Sequence, residues 1–189
     1  MTQWVMATSS AGKARELALL LAPLGLEIQP QSAFGVQSCE EPFQGFVENA
    51  LAKARHASAC TGLPALADDS GLMVDALSGQ PGVRTSEHDW RWLLEQMAAV
   101  PSEGRAASFV CVLVAVRSAK DPLPLIAQGR WKGLIATAPQ GEQGFGYDPV
   151  FWDSRMGCTA AQMSLDQKNG LSHRGQAARS LLAQWRAHE

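Results

Sequence analysis

Trp4-Val5-Met6-Ala7-Thr8-Ser9-Ser10-Ala11-Gly12-Lys13 carries the first readable pattern in the chain. Trp4 to Ala7 is a short apolar run that stops at a turn of small residues, Thr8 to Gly12. A helix is expected from about Lys13, with Leu17, Leu20, Leu21 and Leu24 at helical spacing and Gly25 closing it. Leu26-Glu27-Ile28 then reads as a second short strand. Phe46 to Thr61 follows as a helix, with Phe46, Ala50, Ala54 and Ala57 on one side and Asn49, Lys53 and His56 on another. Pro64 to Ala67 reads as a short buried strand that ends in Asp68-Asp69-Ser70-Gly71. Trp90 to Met97 is expected to be helical and Ser108 to Val116 a central strand. Pro124 to Ala127 with Trp131 to Ala136 is expected as a hairpin, and the last helix should run from about Arg174 to Ala187. Strands and helices mix along the whole chain, so the expected class is α/β, a mixed sheet flanked by helices.

Length and composition narrow the possibilities. At 189 residues the chain has the size of one domain, and no linker or repeat divides it, so residues 1–189 are expected to form a single domain. The formal charge of −2 argues against a nucleic-acid-binding surface, which is usually basic. Cys39, Cys60, Cys111 and Cys158 form no CxxC pair and are expected to be free thiols. There is no basic start followed by an apolar run, and no apolar window of about 18 residues. A cytoplasmic protein without membrane contact is expected.

Several motifs can carry chemistry. Small residues between a strand and a helix let backbone N–H groups approach an anion, and Lys13 stands where such an anion needs a counter-charge. This is not a Walker A loop, because Ala7 replaces its first glycine and Ala14 its metal-holding Ser/Thr. Asp68 and Asp69 are adjacent carboxylates at the end of a buried strand, so they must be solvated, paired or metal-bound. Hard oxygen donors of this kind suit Mg²⁺ beside a phosphate. Glu40-Glu41 is a second acidic pair, in a loop. In Gly144-Phe145-Gly146-Tyr147-Asp148-Pro149 the glycines and proline shape an irregular backbone, while Phe145 and Tyr147 offer aromatic faces and Asp148 an acceptor. Lys168 precedes Ser172-His173-Arg174, where two cationic residue types stand at a helix start, the end that disfavours them.

These segments resemble, in order and spacing, the inosine/xanthosine triphosphate pyrophosphatase family. The matching text is Ala7-Thr8…Gly12-Lys13, Phe46 to Ala50, Ala67 to Leu72, Gly79 to Gly82, Gly144 to Phe151 and Ser172 to Arg174. The resemblance spans nearly the whole chain. It implies an elongated α/β fold with a central mixed sheet, two lobes with an active-site cleft between them, and a homodimer. It also implies Mg²⁺-dependent cleavage of non-canonical purine nucleoside triphosphates (ITP, dITP, XTP) between the α- and β-phosphates. By the same resemblance Thr8, Ser9, Ser10, Ala11, Gly12, Lys13 and Lys53 would hold the triphosphate, with Ser70 beside it. Glu40, Glu41 and Asp69 would hold Mg²⁺, with Asp69 also the general base and Lys13 and Lys53 assisting catalysis. Phe145, Gly146, Tyr147, Asp148, Lys168, His173 and Arg174 would line the base pocket.

The chain departs from the family pattern in three places. Thr8-Ser9-Ser10 replaces Thr-Gly-Asn, exchanging a flexible glycine and an amide for two hydroxyls. Gln162 stands where Glu is common. Pro81 to Ser86 passes at once into Glu87-His88-Asp89-Trp90, shortening a segment that the family continues as Ser-Ala-Arg-Tyr-Ala-Gly and leaving Arg84 without a clear counterpart there. A Maf-like pyrophosphatase or a non-catalytic nucleotide-binding module are the rival readings; Phe145 to Pro149 and Ser172 to Arg174 weigh against the first, and Lys13, Lys53 and Asp69 against the second.

Overall fold

The computed structural model describes residues 3–8 and 10–187. The elements are β1 (Gln3–Ala7), α1 (Ala11–Leu21), β2 (Glu27–Pro30), α2 (Phe46–Thr61), β3 (Ala65–Val74), β4 (Pro81–Gly82), α3 (Trp90–Gln96), β5 (Ala106–Val116), β6 (Leu125–Ile135), β7 (Phe151–Asp153), β8 (Cys158–Thr159), α4 (Leu165–Leu171) and α5 (His173–Arg186). Among the described residues the strands form an eight-stranded sheet in the order β2-β1-β3-β5-β6-β7-β8, with β4 added to β3. β1 runs parallel to β2 and β3, whereas β4 opposes β3 and β7 opposes both β6 and β8. The sheet is therefore mixed, as the α/β reading expects.

Two compact units share this chain. The first comprises Met1–Asp69, Cys111–Gly129 and Arg174–Glu189; the second comprises Ser70–Val110 and Arg130–His173. In the first unit, strand alternation sorts apolar residues to two faces. Trp4, Met6, Leu66, Cys111, Leu113 and Ala115 pack with Leu17 and Leu21 of α1 and with Ala177, Ala178 and Leu181 of α5. The intervening residues Val5, Ala7, Ala65, Ala67, Val112, Val114 and Val116 pack with Ala50, Ala54 and Ala57 of α2. Leu17, Leu21, Leu66, Leu113 and Leu181 are almost fully buried, and each stabilises the unit by about 1.5–3 kcal/mol relative to exposure. Trp4 meets Trp185 edge to face with ring centroids 5.0 Å apart.

The second unit packs Leu72, Val74, Leu93, Met97, Phe109, Trp131 and Phe151 together. Phe109 lies 4.5 Å from Phe151, and Trp131 4.8 Å from Phe151, ring to ring. The Trp131 indole N–H donates to Asp153 Oδ2 at 2.6 Å, which satisfies a polar group that would otherwise be stranded in this core. Arg105 is 6% exposed. Its guanidinium donates to the carbonyls of Ile135 (2.7 Å), Met97 (2.8 Å), Val100 (3.1 Å) and Ala136 (3.0 Å).

Asp153 also makes acid stability predictable. Burial pushes its pKa up, but the Arg155 guanidinium, the Trp131 N–H and the amides of Arg155 and Met156 overcome this and hold it at about 2. A folded-state value below the unfolded one gives stability that is complete above the unfolded pKa, about 4, and is lost as pH falls towards 2. Acid unfolding of the wild type should therefore steepen between about pH 4 and 2, and Asp153→Asn should flatten that limb. An unchanged acid limb in the variant, followed by circular dichroism, would refute the assignment.

Three sequence expectations need correction. β3 does not end at Ala67 but continues through Asp68-Asp69-Ser70-Gly71 to Val74, because both carboxylates find cationic partners and need no turn to reach water. The expected hairpin around Gly129 is one unbroken strand, β6. Gly133 marks close approach rather than a turn: a Cβ there would stand 2.5 Å from the Trp152 carbonyl and 2.7 Å from the Phe151 ring. The first helix begins at Ala11 rather than Lys13, since Ser10 caps it by accepting from the Lys13 N–H. By contrast α2 spans Phe46–Thr61 as expected, ended by Gly62 in the left-handed region.

Candidate active site

β1 and β3 run parallel with Ala7 beside Ala67, which brings the Thr8–Lys13 turn to the level of Asp68 and Asp69. Ser9 lies outside the described residues. The Ser10 N–H donates to Thr8 Oγ1 at 3.3 Å, and Ser10 Oγ accepts from the Lys13 N–H at 3.4 Å. Ala11 and Gly12 form the first turn of α1, where helix N–H groups lack intrahelical acceptors.

The two aspartates diverge because consecutive strand residues point to opposite faces. Asp68 shares parity with Leu66, on the α1 side, and there Lys13 Nζ lies 3.2 Å from its Oδ2. Asp69 shares parity with Ala67, on the α2 side. Lys53 Nζ lies 3.1 Å from Asp69 Oδ1 and 3.0 Å from Glu41 Oε2. Asn49, one helical turn before Lys53, donates from Nδ2 to Asp69 Oδ2 at 3.3 Å and to the Phe43 carbonyl at 3.2 Å, while its Oδ1 accepts from the Phe43 N–H. It thereby ties the Glu40–Phe43 loop to Asp69. The sequence reading placed Asn49 beside Lys53 but gave it no role; the spacing of four residues was the available signal.

These contexts drive the two carboxyls apart. Burial raises the pKa of Asp68, yet the charges of Lys13, Arg174 and Lys53 outweigh it and hold the group below the ordinary carboxylate value. For Asp69 burial prevails over Lys53, and Glu41 adds to the upward push. Burial lowers the Lys53 value, but Asp69, Asp68 and Glu41 more than reverse this, so Lys53 stays charged. A fixed anion next to a carboxyl displaced upward is a pattern of sites that handle protons.

Arg174, called for the base pocket, sits in the first unit, where its Nη1 lies 2.7 Å from Glu16 Oε2; both are largely buried. No local pattern links Glu16 to a residue 158 positions away, and the sequence reading did not find it. Glu40 is exposed, and Glu41 is the member of that pair that reaches Lys53. Among the described residues no three His, Cys, Asp or Glu side chains already cluster as a metal cage. The donors nevertheless fit a hard cation: carboxylate oxygens of Glu41 and Asp69 converge on one positive centre, the Lys53 ammonium, and Mg²⁺ takes few protein ligands beside phosphate and water.

In the second unit, the Gly144–Pro149 turn is organised by Asp148. Its Oδ2 accepts from the Phe145 N–H at 2.8 Å and from Lys168 Nζ at 2.7 Å. Gly144 has φ of 76°, and a Cβ there would strike the Asp148 carboxylate, so glycine is required. Lys168 Nζ also stands 5.0 Å from the Phe145 ring centroid, within cation–π range. Phe145 is 37% exposed, whereas Tyr147 is 3% exposed and belongs to the core, so of the two aromatic residues Phe145 is the one that offers a face. Gly146 (φ 62°) lets the turn reverse between them. Lys168 lies on α4, a helix the sequence reading missed, begun by the Ser164–Gln167 capping box. His173 stacks on Phe109 with centroids 4.7 Å apart and planes 11° from parallel. Ser70, 8% exposed, follows Asp69 in β3.

A model of the Ham1 family matches residues 4–184. The chain belongs to the Ham1 family. It is 50% identical to the dITP/XTP pyrophosphatase of Photorhabdus laumondii over 191 residues, covering 96% of this chain and 97% of that one. It is 51% identical to the dITP/XTP pyrophosphatase of Bordetella pertussis over 195 residues, covering 97% and 91%. Among solved structures, a HAM1 protein from Coxiella burnetii superposes with a TM-score of 0.91 at 42% identity, over 99% of this chain and all of that one. The Staphylococcus aureus Ham1 protein does so with a TM-score of 0.87 at 30% identity over both full chains. Ham1 relatives thus share the whole mixed-sheet fold. No helix among the described residues is long and apolar enough to cross a membrane.

Proposed function

We propose that this Ham1-family chain hydrolyses non-canonical purine nucleoside triphosphates, dITP, ITP and XTP, to the monophosphate and pyrophosphate, clearing them from the nucleotide pool. One observation carries the reading: Lys13 with Asp68 and Lys53 with Asp69 form two cationic–anionic pairs on consecutive residues of β3, beside the end of β1 and the α1 N-terminus. A triphosphate brings several negative charges, and such a group can exchange the lysines' carboxylate contacts for phosphate contacts. Asp68, held anionic, keeps Lys13 in place. Thr8, Ser10 and the first N–H groups of α1 supply further donors.

Cleavage adds water at the α-phosphorus and breaks its bond to the oxygen bridging to the β-phosphate, so pyrophosphate leaves. Asp69 takes a proton from the attacking water, and Asn49 fixes the plane of its carboxyl. Lys13 and Lys53 neutralise the departing charge. Glu41 and Asp69, with Glu40 nearby in sequence, would hold Mg²⁺, which when bound adds charge neutralisation on the phosphate oxygens. The sequence resemblance extends the reading to the base: Phe145 supplies a stacking face, and Lys168, His173 and Arg174 supply donors for a 6-oxo group. Adenine presents an amino donor there, so donor meets donor and its rejection is strong. Residues 1–189 would serve as one pyrophosphatase domain, in a cytoplasmic homodimer that needs neither nucleic acid nor membrane.

A panel of nucleoside triphosphates with product identification tests this. dITP, ITP and XTP should release pyrophosphate in a reaction that stops on chelation and restarts with Mg²⁺, while ATP and GTP turn over at least about 100-fold more slowly. Equal turnover of ATP, or release of orthophosphate, would defeat the proposal.

A further inference from the structure

The connection from Gly82 to Asp89 is short, and one of its residues, Thr85, bonds both to β3 and to Tyr147. Gly82 turns the chain with φ of 58°, and a single helical turn, Thr85–Glu87, follows. Thr85 Oγ1 accepts the Leu72 N–H at 2.8 Å, just beyond the pairing of Leu72 with Gly82, and donates to the Gly82 carbonyl at 2.5 Å. One hydroxyl thus closes its own turn and ties it to β3. The Thr85 carbonyl in turn accepts from the Tyr147 hydroxyl at 3.2 Å.

Tyr147 is anchored from the other end as well. Its carbonyl accepts from the Val150 and Phe151 N–H groups, both at 3.0 Å. The residue stands between Phe145, whose carbonyl accepts the Asp148 N–H at 3.3 Å, and Asp148, which holds Lys168. With the phenol clamped at Thr85, the stretch from Phe145 to Asp148 has little freedom to rotate about the core.

We propose that Thr85 is a positioning residue for base recognition: its hydroxyl fixes the Gly82–Asp89 connection, and its carbonyl thereby holds Tyr147 and sets the Phe145–Asp148 turn. Thr85 need not touch the substrate. This inference rests on the assignment of that turn to the purine base. A positioning role predicts that loosening Thr85 weakens substrate capture and leaves the phosphate chemistry of Asp69 and the lysines intact.

Tyr147 is the chain's one tyrosine, so protein labelled with ¹³C at the tyrosine ζ carbon gives a single assigned signal. That signal should move towards the free-tyrosine position in Thr85→Ala and return in Thr85→Ser. With dITP, Thr85→Ala should raise KM about tenfold with kcat within about twofold, and Thr85→Ser should restore KM. Tyr147→Phe removes the hydrogen bond to the Thr85 carbonyl directly, whereas Thr85→Ala displaces that carbonyl by freeing its turn, and it should reproduce the KM rise. Combined with Thr85→Ala it should add little further to the KM rise, since the Thr85 hydroxyl acts on the turn through the carbonyl that Tyr147 grips. Should Thr85→Ala fail to fold, Tyr147→Phe and Thr85→Ser carry the kinetic arm. An unmoved tyrosine signal, an unchanged KM in Tyr147→Phe, a fall in kcat equal to the rise in KM, or additive effects in the double variant would each overturn the proposal. If the wild-type protein does not cleave dITP, the functional reading fails on its own, and the tyrosine signal in Thr85→Ala and Thr85→Ser decides whether Thr85 holds Tyr147.

Discussion

Replacing Asp69 by Asn should lower dITP turnover by about 10³–10⁴-fold while leaving a folded protein. The variant keeps the size and most of the hydrogen-bonding shape of the side chain, but loses the charge that pairs with Lys53 and the basic oxygen that can accept a proton. Burial already raises the pKa of this carboxyl, so the anion is costly to keep in the free protein, and its removal should change the urea midpoint little. Activity and stability are therefore expected to part company. Lys53 gains a second use as a control: it retains Glu41 at 3.0 Å, so the variant does not strand a bare ammonium. Turnover within about tenfold of the wild type would take the general-base role from Asp69. A matching loss of stability would show that the residue is chiefly structural.

Arg105→Met should cost roughly 3–5 kcal/mol of stability, through the opposite kind of residue. Arg105 approaches no nucleotide-handling group; its donors end on the carbonyls of Met97, Val100, Ile135 and Ala136. It joins the end of α3 to the end of β6, two segments without mutual backbone pairing at that point. Methionine fills much of the volume but takes the charged donor from all four carbonyls, of which Met97 keeps the Val100 N–H. Arg105→Lys should recover only a fraction, because a single ammonium cannot span the same fork of acceptors. Urea unfolding followed by circular dichroism measures both, and a loss under about 1 kcal/mol for Met would mean that water replaces the guanidinium readily.

How far the sequence foretold the molecule depends on the range of the forces involved. α2 was legible to its last residue because its signals are local: an alanine stripe at helical spacing and Gly62 at its end. β6 was misread because residues 128–130, with Gly129, look like a turn between two apolar runs, whereas the strand passes through them unbroken and Gly133 lets β7 approach. β3 was cut short at Asp68, since acidic residues are rare inside strands and their partners, Lys13 and Lys53, come from distant helices. α4 was missed because it has only seven residues and little apolar periodicity. For the candidate site, Lys13, Lys53 and Asp69 were named, and the structure brings Lys53 and Asp69 into contact and gives Lys13 to Asp68. What escaped was the supporting layer: Asp68 as the partner of Lys13, Asn49 as the brace of Asp69, and Glu16 as the partner of Arg174. Supporting contacts of this sort depend on three-dimensional neighbours, and their residue types carry no signature of their own.

The alternation of Asp68 and Asp69 across β3 has a consequence for genetics. Deleting either codon yields the same shortened protein, with one aspartate between Ala67 and Ser70, so the lesion itself does not say which role was lost. Folding must choose. If Ala65–Ala67 keep their pairing with β1, the surviving carboxylate faces Lys13, and Leu72 and Met73 arrive at β4 with inside and outside exchanged. If the β4 pairing wins instead, the carboxylate faces Lys53 and the mismatch moves to β1. Two chemically identical neighbours are thus not redundant copies. They behave like the two positions of a parity bit, and a single-codon loss corrupts every residue read on one side of it.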